Sequence, residues 1–183
     1  MEYEQVIKGR RSARGYKQES VPKEVLEEVI FLATQAPSSM NTQPWHFHVV
    51  TGEALDKIRE ENTKRNIEGV PPSREIRSPL GYEGVHRERQ IEVAIQLFKE
   101  MGIERDDKEA RINQVLKNYD FFSAPAGLFC FIDRAMGPPQ WSDLGMFLQT
   151  FMLLATESGI DTCAQEAWSL KQDSVKEFLK IKD

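Results

Sequence analysis

Three arginines and a serine form a dense basic cluster near the start of the chain, at Arg10-Arg11-Ser12-Ala13-Arg14. The forked donors of arginine match the oxygens of a phosphate group, and Ser12 with free backbone N–H groups can complete a cradle. A solvated basic turn is the alternative interpretation, because a five-residue basic run has little specificity by itself. The cluster is therefore a candidate phosphate site that needs support from other parts of the chain.

A second candidate is the polar stretch APSSMNTQPW from Ala36 to Trp45. Pro37 and Pro44 each fix φ, remove a donor and disfavour the α conformation of the preceding residue, so the backbone stays open and irregular. The small amide and hydroxyl side chains are then free to bind something other than their own chain. Beside an aromatic residue they favour a flat ligand edged with heteroatoms, although a plain helix-to-strand loop would have a similar composition.

Other common chemistries lack their residues. His46 and His48 lie two apart without further ligands for zinc nearby, so no metal site is predicted. The sequence has no G-x-S-x-G, P-loop or G-x-G-x-x-G motif. Cys163 has no base or positive charge beside it in the sequence and is expected to be a buried structural thiol. If the chain is an enzyme, a cofactor is expected to carry the chemistry.

Length and composition restrict the class of protein. The 183 residues predict a single domain, 1–183, that buries roughly 70% of its unfolded surface. A net charge of −5 argues against a general nucleic-acid binder. Two cysteines without a C-x-x-C motif indicate reduced thiols in a cytoplasmic protein. The N-terminus does not resemble a signal peptide, and the most apolar segment, Leu144–Ala155, is too short to span a bilayer.

Hydrophobic periodicity and turn residues predict the elements that position these motifs. The predicted helices are Tyr3–Gly9, a helix from an N-cap at Ser20 to Ala36, one from Gly52, one that carries Ile91 and ends at Gly102, one over Asp107–Tyr119, one from a cap at Ser142 or Asp143 to about Ser158, and one around Val175–Leu179. His46–Thr51 predicts a strand covered on both faces, and Ala126–Ile132 predicts a buried central strand. The stretch Asn62–Gly84 predicts a loop with at most short helices.

Three motifs follow one another along the chain: RRSAR at 10–14, APSSMNTQPW at 36–45 and GIDTCAQEAW at 159–168. Together they resemble the FMN-dependent nitroreductase family, and the similarity runs from the first helix to the end of the chain. The resemblance implies an α+β fold, a three-layer α/β/α arrangement with a central, mostly antiparallel sheet wrapped by helices. It also implies a homodimer with FMN at the subunit interface, in which the apolar helix around Phe147 and Phe151 forms the dimer core.

The flavin ligands that the resemblance implies fall into three groups. Those that hold the phosphate and the pyrimidine edge are Arg10, Arg11, Ser12 and Arg14. Those that reach the flavin from the partner subunit are Pro37, Ser38, Ser39, Met40 and Asn41, with Gln43 as support for their loop. Those that approach the N5 and O4 side, largely through backbone groups, are Gln165, Glu166 and Ala167. Asn62 or Asn66 is a further candidate for the pyrimidine, and no catalytic side chain is implied because the chemistry occurs at the flavin N5.

The implied activity is the reduction of nitroaromatics, quinones or related small electron acceptors by NADH or NADPH, in a ping-pong mechanism. A dehalogenase, an enone reductase and a non-catalytic flavin-binding dimer are the alternatives. Family members usually continue with a core strand, a Gly-rich turn, another phosphate-binding arginine and a tail around the partner, whereas this sequence ends at Asp183. We therefore expect a fragment or a truncated member without that segment.

Overall fold

A computed structural model describes residues 2–75 and 81–181 of the chain. Within these ranges the α-helices are α1 (Tyr3–Gly9), α2 (Lys23–Ala33), α3 (Gly52–Ile67), α4 (Gly84–Glu100), α5 (Lys108–Leu116), α6 (Pro138–Glu157) and α7 (Gln172–Leu179). The strands are β1 (His46–Thr51) and β2 (Ala126–Phe131), and short 3-10 helices cover Ser39–Asn41, Lys117–Ser123 and Ala167–Leu170. Helices combined with an antiparallel strand pair agree with the predicted α+β class.

The described sheet consists of β1 and β2, which pair antiparallel with His46 opposite Phe131 and Thr51 opposite Ala126. The observed bounds of β1 are the predicted ones, and β2 ends one residue earlier than predicted. The expectation that both faces of β1 are covered is wrong for the single chain: Val50 is 5% exposed and Val49 is 38% exposed. Because successive side chains of a strand point to opposite faces, the face that carries Val49 and the half-buried Phe47 is covered only in part.

The described residues form two compact units. The first combines the chain up to Glu60 with Phe122–Gln165 and contains both strands, α1, α2, α6 and the first half of α3. The second combines Glu61–Phe121 with the chain from Glu166 onward. The single domain expected from the length of the chain stays a prediction.

The core of the first unit is centred on Phe147 of α6, whose side chain is fully buried. Its ring stacks on Trp45, with centroids 5.2 Å apart, and on Phe47, with centroids 5.6 Å apart. Small and aliphatic residues complete the cluster: Ala33, Ala36 and Leu144. Phe147 therefore lies in the core of its own chain, which corrects its assignment to a dimer core; a helix that is apolar on all sides uses one side for this packing.

Two helices start at other residues than predicted. Ser20 does not cap α2, which begins at Lys23 with Pro22 as its N-cap and without a side-chain cap. Helix α6 begins at Pro138 rather than after Ser142 or Asp143, since proline fits the first turn of a helix. Gln140 Oε1 accepts a hydrogen bond from the Gly137 N–H at 3.0 Å and closes this N-terminus.

The loop predicted from Asn62 is also wrong at its start, because α3 continues to Ile67. The second half of α3 is polar, so it lacks the apolar period on which the helix prediction depended. At the other end of the predicted loop, Gly84 already belongs to α4. Residues 76–80 of this stretch lie outside the described residues.

Candidate functional site

The arginine segment leaves α1 and pairs with the chain that follows α6. Ser12 and Thr162 form a parallel β-bridge, and the Ala13 N–H donates to the Thr162 carbonyl oxygen at 3.0 Å. Gly159 turns the chain after α6 with a φ of 76°, a conformation that glycine adopts readily at a helix C-terminus. The structure thus brings together the first and third sequence motifs, which are about 150 residues apart along the chain.

The positive charge of this segment is not neutralised within the described protein. None of Arg10, Arg11 and Arg14 forms an ion pair with a carboxylate among residues 2–75 and 81–181. Arg14 Nη1 donates to the Ser12 carbonyl oxygen at 3.4 Å, and its Cζ lies 5.9 Å from the centroid of the Phe122 ring. Arg10 is half-buried, whereas Arg11 and Arg14 are exposed. These guanidinium groups are available to an anion.

Cys163 lies within the electrostatic influence of this cluster. Burial raises the pKa of its thiol, and the positive charges of Arg14 and Arg10 oppose the increase. Cys163 is half-buried, so the prediction of a buried thiol is wrong, and the positive charges near it come from residues distant in the sequence. The reason is the pairing of Ser12 with Thr162, which places the arginines beside a cysteine whose neighbours in the sequence are uncharged.

Tyr16 packs beside the same segment. Its hydroxyl donates to the Ala13 carbonyl oxygen at 3.0 Å. Burial, and after it the charges of Cys163 and Asp161, raise the pKa of Tyr16 to about 12, and Arg14 acts in the opposite direction. The phenol therefore stays protonated at neutral pH and acts as a hydrogen-bond donor that fixes the backbone beside the arginines.

The two thiols are expected to differ in reactivity. Cys130 lies in β2, where burial raises its pKa to about 12, whereas the arginines limit the increase at Cys163. Because the thiolate is the nucleophile, Cys163 should react at least about tenfold faster with a thiol-specific disulfide reagent at pH 8. Cys163→Ser and Cys130→Ser variants assign the two phases in a stopped-flow trace. A faster reaction of Cys130 would contradict this electrostatic description.

The polar loop before β1 has an unusual backbone. Met40, Asn41 and Gln43 have φ values of 51°, 57° and 46°, in the left-handed region that residues other than glycine rarely adopt. The Gln43 N–H donates to Ser38 Oγ at 2.9 Å, and Gln43 Nε2 donates to Asn41 Oδ1 at 3.1 Å. Part of the polar side chains therefore bind their own loop, contrary to the expectation that all were free. Met40, at 96% exposure, projects from the tip.

Asp143 of α6 contacts this loop, a role that sequence reasoning missed. Its Oδ2 accepts a hydrogen bond from the Ser39 N–H at 3.0 Å, and the residue is only 4% exposed. The sequence prediction treated Asp143 as a helix cap. A carboxylate four residues before Phe147, on the face of an apolar helix that packs into the core, was the signal that could have identified it.

The remaining candidate ligands are those of the Pro37–Gln43 loop and of residues 165–167. No hydrogen bond or ion pair among the described residues joins the Pro37–Gln43 loop to the Arg10–Arg14 segment. Gln165 lies three residues after Thr162, and the Ser169 N–H donates to the Glu166 carbonyl oxygen at 2.9 Å, where the 3-10 helix at Ala167 begins.

The two asparagines considered for the pyrimidine lie in the second half of α3. Asn62 is fully buried, so its side chain has no surface to offer a ligand. Asn66 is half-buried, and its Oδ1 accepts a hydrogen bond from Lys171 Nζ, a lysine whose pKa is lowered by burial. The structure therefore argues against Asn62 as a ligand of the pyrimidine and gives Asn66 a partner within the chain.

Two further findings concern metals and membranes. Across residues 2–75 and 81–181, no three His, Cys, Asp or Glu side chains form a group that could hold a metal ion. None of the helices in the described part of the chain combines the length and the apolar character that crossing a bilayer requires.

Comparison with known proteins identifies relatives over almost the whole chain. Residues 7–183 match the model of the nitroreductase family. The chain is 32% identical to 4-nitrobenzoate reductase of Pseudomonas putida over 183 residues, which are 100% of this chain and 80% of that protein. It is 34% identical to nitrobenzene nitroreductase of Ectopseudomonas oleovorans over 181 residues, which are 97% of this chain and 79% of that protein.

Solved structures show the same fold. The FMN and NADPH-dependent nitroreductase NfnB from Sphigopyxis sp. strain HMH superposes with a TM-score of 0.96 at 36% identity, covering 100% of this chain and 83% of that one. NfnB from Mycobacterium smegmatis, in complex with NADPH, gives 0.93 at 32% identity, covering 98% and 81%. These superpositions confirm the predicted nitroreductase-like α+β fold. From the match of its sequence and of its fold, the chain belongs to the nitroreductase family.

Proposed function

We propose that the chain is an FMN-dependent oxidoreductase that uses NAD(P)H to reduce nitroaromatic compounds, quinones or related small electron acceptors. The observation that supports this function best is the pairing of Ser12 with Thr162. It places Arg10, Arg11 and Arg14, which form no ion pair among the described residues, beside the segment that leads to Gln165. Relatives named for the reduction of 4-nitrobenzoate and nitrobenzene support nitro compounds as the substrate class. They favour this activity over the dehalogenase and enone reductase alternatives.

The residues present fit FMN. A chain with a net charge of −5 keeps three arginines at one segment that have no carboxylate partner among the described residues, which suits the phosphate of the cofactor. We assign the phosphate and the pyrimidine edge to Arg10, Arg11, Ser12 and Arg14. The exposed loop Pro37–Asn41 would reach the cofactor from a partner subunit, and Gln165, Glu166 and Ala167 would approach its N5 and O4 side.

Each group of residues then has a defined task. When bound, FMN supplies reversible two-electron chemistry at N5, between hydride donation by NAD(P)H and reduction of the acceptor, in a ping-pong cycle. The arginines fix the position of the cofactor through its phosphate and need no proton transfer. Backbone N–H groups at 165–167 stabilise negative charge at the edge of the ring system, as preorganised donors do in other active sites.

A homodimer is part of the proposal because one of the three groups of ligands, the Pro37–Asn41 loop, is assigned to the partner subunit. Apolar side chains of the first unit that a partner would cover are exposed in the single chain: Tyr3, Ile7, Phe31, Leu32, Met40, Val49, Trp141 and Met146. The partly covered face of β1 that carries Val49 is consistent with such a contact. Sedimentation velocity would show a single species of twice the chain mass, whereas a monomer at micromolar concentration would contradict the dimer. We further propose a cytoplasmic location, supported by two free cysteines.

The proposed function predicts a yellow protein. Absorption spectra of the purified chain should show an oxidised flavin, and mass spectrometry of the released ligand should identify FMN. Anaerobic NADPH should bleach the flavin band and 4-nitrobenzoate should restore it. A protein that stays colourless after incubation with FMN would contradict flavin binding. Bleaching without recovery would leave a flavin-binding dimer without turnover, and intersecting initial-rate lines would exclude the ping-pong cycle.

A further inference from the structure

Asp143 carries a buried carboxylate that is bound to a backbone N–H group of the polar loop. It lies in the second turn of α6, is 4% exposed and accepts the Ser39 N–H at 3.0 Å. No lysine or arginine in the described part of the chain forms an ion pair with it. A buried carboxylate without a cation is unfavourable unless hydrogen bonds satisfy it, so the bond from Ser39 has a structural purpose.

The loop that donates this hydrogen bond needs support from another element of the fold. Met40, Asn41 and Gln43 all have left-handed φ values, and such residues persist only where the surroundings determine their conformation. The hydrogen bonds made by Gln43 close on Ser38 and Asn41, within the loop itself. The bond to Asp143, in contrast, ties the loop to a different element.

Helix α6 fixes the loop at two points. Asp143 and Phe147 are four residues apart and therefore lie on one face of α6. Asp143 accepts a hydrogen bond from the Ser39 N–H near the start of the loop. Phe147 stacks on Trp45, which follows Gln43 and Pro44 at the end of the loop. The conformation of the loop around the exposed Met40 is thus set in part by its contacts with α6.

We propose that Asp143 is a positioning residue for the cofactor: by holding the Ser39 N–H, it sets the shape of the Pro37–Asn41 loop that meets the flavin of the partner subunit. This inference rests on the proposed function. Asp143 acts through the loop backbone and not on the reacting atoms, because its carboxylate is buried beneath the loop.

The donor can be removed without touching the buried carboxylate. Ser39→Pro deletes the N–H, and proline suits this site because Ser38 is extended (φ −142°, ψ 154°) and Ser39 begins a 3-10 turn. Ser39→Ala is the matched control, since it loses the same hydroxyl and keeps the N–H. Asp143→Ala and Asp143→Asn form the complementary pair. Only the asparagine side chain has a volume similar to that of aspartate and keeps an oxygen that can accept the hydrogen bond.

The test measures FMN affinity by quenching of flavin fluorescence and the environment of bound FMN by visible circular dichroism. Asp143→Ala and Ser39→Pro should bind FMN about tenfold to hundredfold more weakly than their controls, the loss expected for a charge-assisted hydrogen bond, and should change the dichroism. Asp143→Asn should recover most of the affinity. Leu55→Ala, which truncates a core residue with 1% exposure in α3, should lower stability and leave both flavin signals unchanged in the folded protein.

Amide hydrogen exchange of Ser39 gives a readout that needs no cofactor. The amide should be protected in the wild type, in Ser39→Ala and in Asp143→Asn, and should exchange at the rate of an open loop in Asp143→Ala. Unchanged exchange in Asp143→Ala, or unchanged affinity in Ser39→Pro, would overturn the inference. A wild type that binds no FMN although its Ser39 amide depends on Asp143 would contradict the proposed function, and the assignment of Asp143 would then reduce to support of the loop.

Discussion

Replacing Phe147 by alanine is expected to lower the free energy of unfolding by about 3–5 kcal/mol, the usual cost of emptying a fully buried aromatic site. Phe147 has no exposed surface and stacks on both Trp45 and Phe47, so the substitution removes two ring contacts and leaves a cavity. Because Trp45 ends the polar loop, the loop should also lose order. Urea unfolding followed by circular dichroism measures the loss.

Ile112→Ala is the control for this substitution. It removes an apolar side chain from α5, where Ile112 is 60% exposed and is not among the residues assigned to the partner contact, and it should change the free energy of unfolding much less than Phe147→Ala. Both variants need the same protein concentration, since assembly shifts apparent stability. A loss below about 1 kcal/mol for Phe147→Ala would show that the core is not centred on this ring.

Arg10→Ala is expected to weaken FMN binding by about 1.5–3 kcal/mol, or roughly tenfold to 150-fold in Kd, the contribution of a hydrogen bond to a charged group. Arg10 is half-buried and makes no ion pair with the described residues, so its charge is available to the phosphate. Partial burial limits screening by water and salt, which favours the upper part of this range. Titration of the flavin-free protein with FMN gives the Kd.

Lys8→Ala provides the control for net charge. Lys8 is exposed on α1 and pairs with Glu4, so its removal changes the charge of the chain by the same amount two residues away. We expect its FMN affinity to stay within about twofold of the wild type, since exposed ion pairs contribute little. Equal affinities of Arg10→Ala and the wild type would place the phosphate elsewhere, whatever the result for Lys8→Ala.

Local patterns in the sequence predicted the regular elements well. The continuous apolar run at 126–131 and the short β-like run at 46–51 both became strands, and their antiparallel pairing follows the class that was expected. The end of α6 near Ser158 was also predicted, and Gly159 follows it with the left-handed φ that glycine commonly adopts at a helix C-terminus. These features depend on residues close together in the chain, where periodicity and turn chemistry apply directly.

The errors have different physical origins. The second half of α3 is helical without an apolar stripe, and the two prolines that start α6 were interpreted as part of a loop although the first helical turn tolerates them. Periodicity contains no information on such cases.

Contacts between distant residues were predicted least. The arginine motif and the motif around Thr162 were each visible in the sequence, but their pairing depends on the folded chain. The hydrogen bond from the Ser39 N–H to Asp143 joins residues about 100 positions apart, and the left-handed loop that it holds has no local signature. The assignment of these residues to a cofactor stays a prediction that the binding experiments above address.

The parallel bridge between Ser12 and Thr162 makes the length of this region as important as its composition. Side chains alternate between the two sides of an extended segment, so inserting or deleting one residue between Gly9 and Ser12 would shift Arg10 relative to the bridge, whereas Arg14, which follows Ser12, would keep its place. Laboratory evolution of this chain should therefore reject single-codon insertions and deletions at these positions even where every arginine is retained.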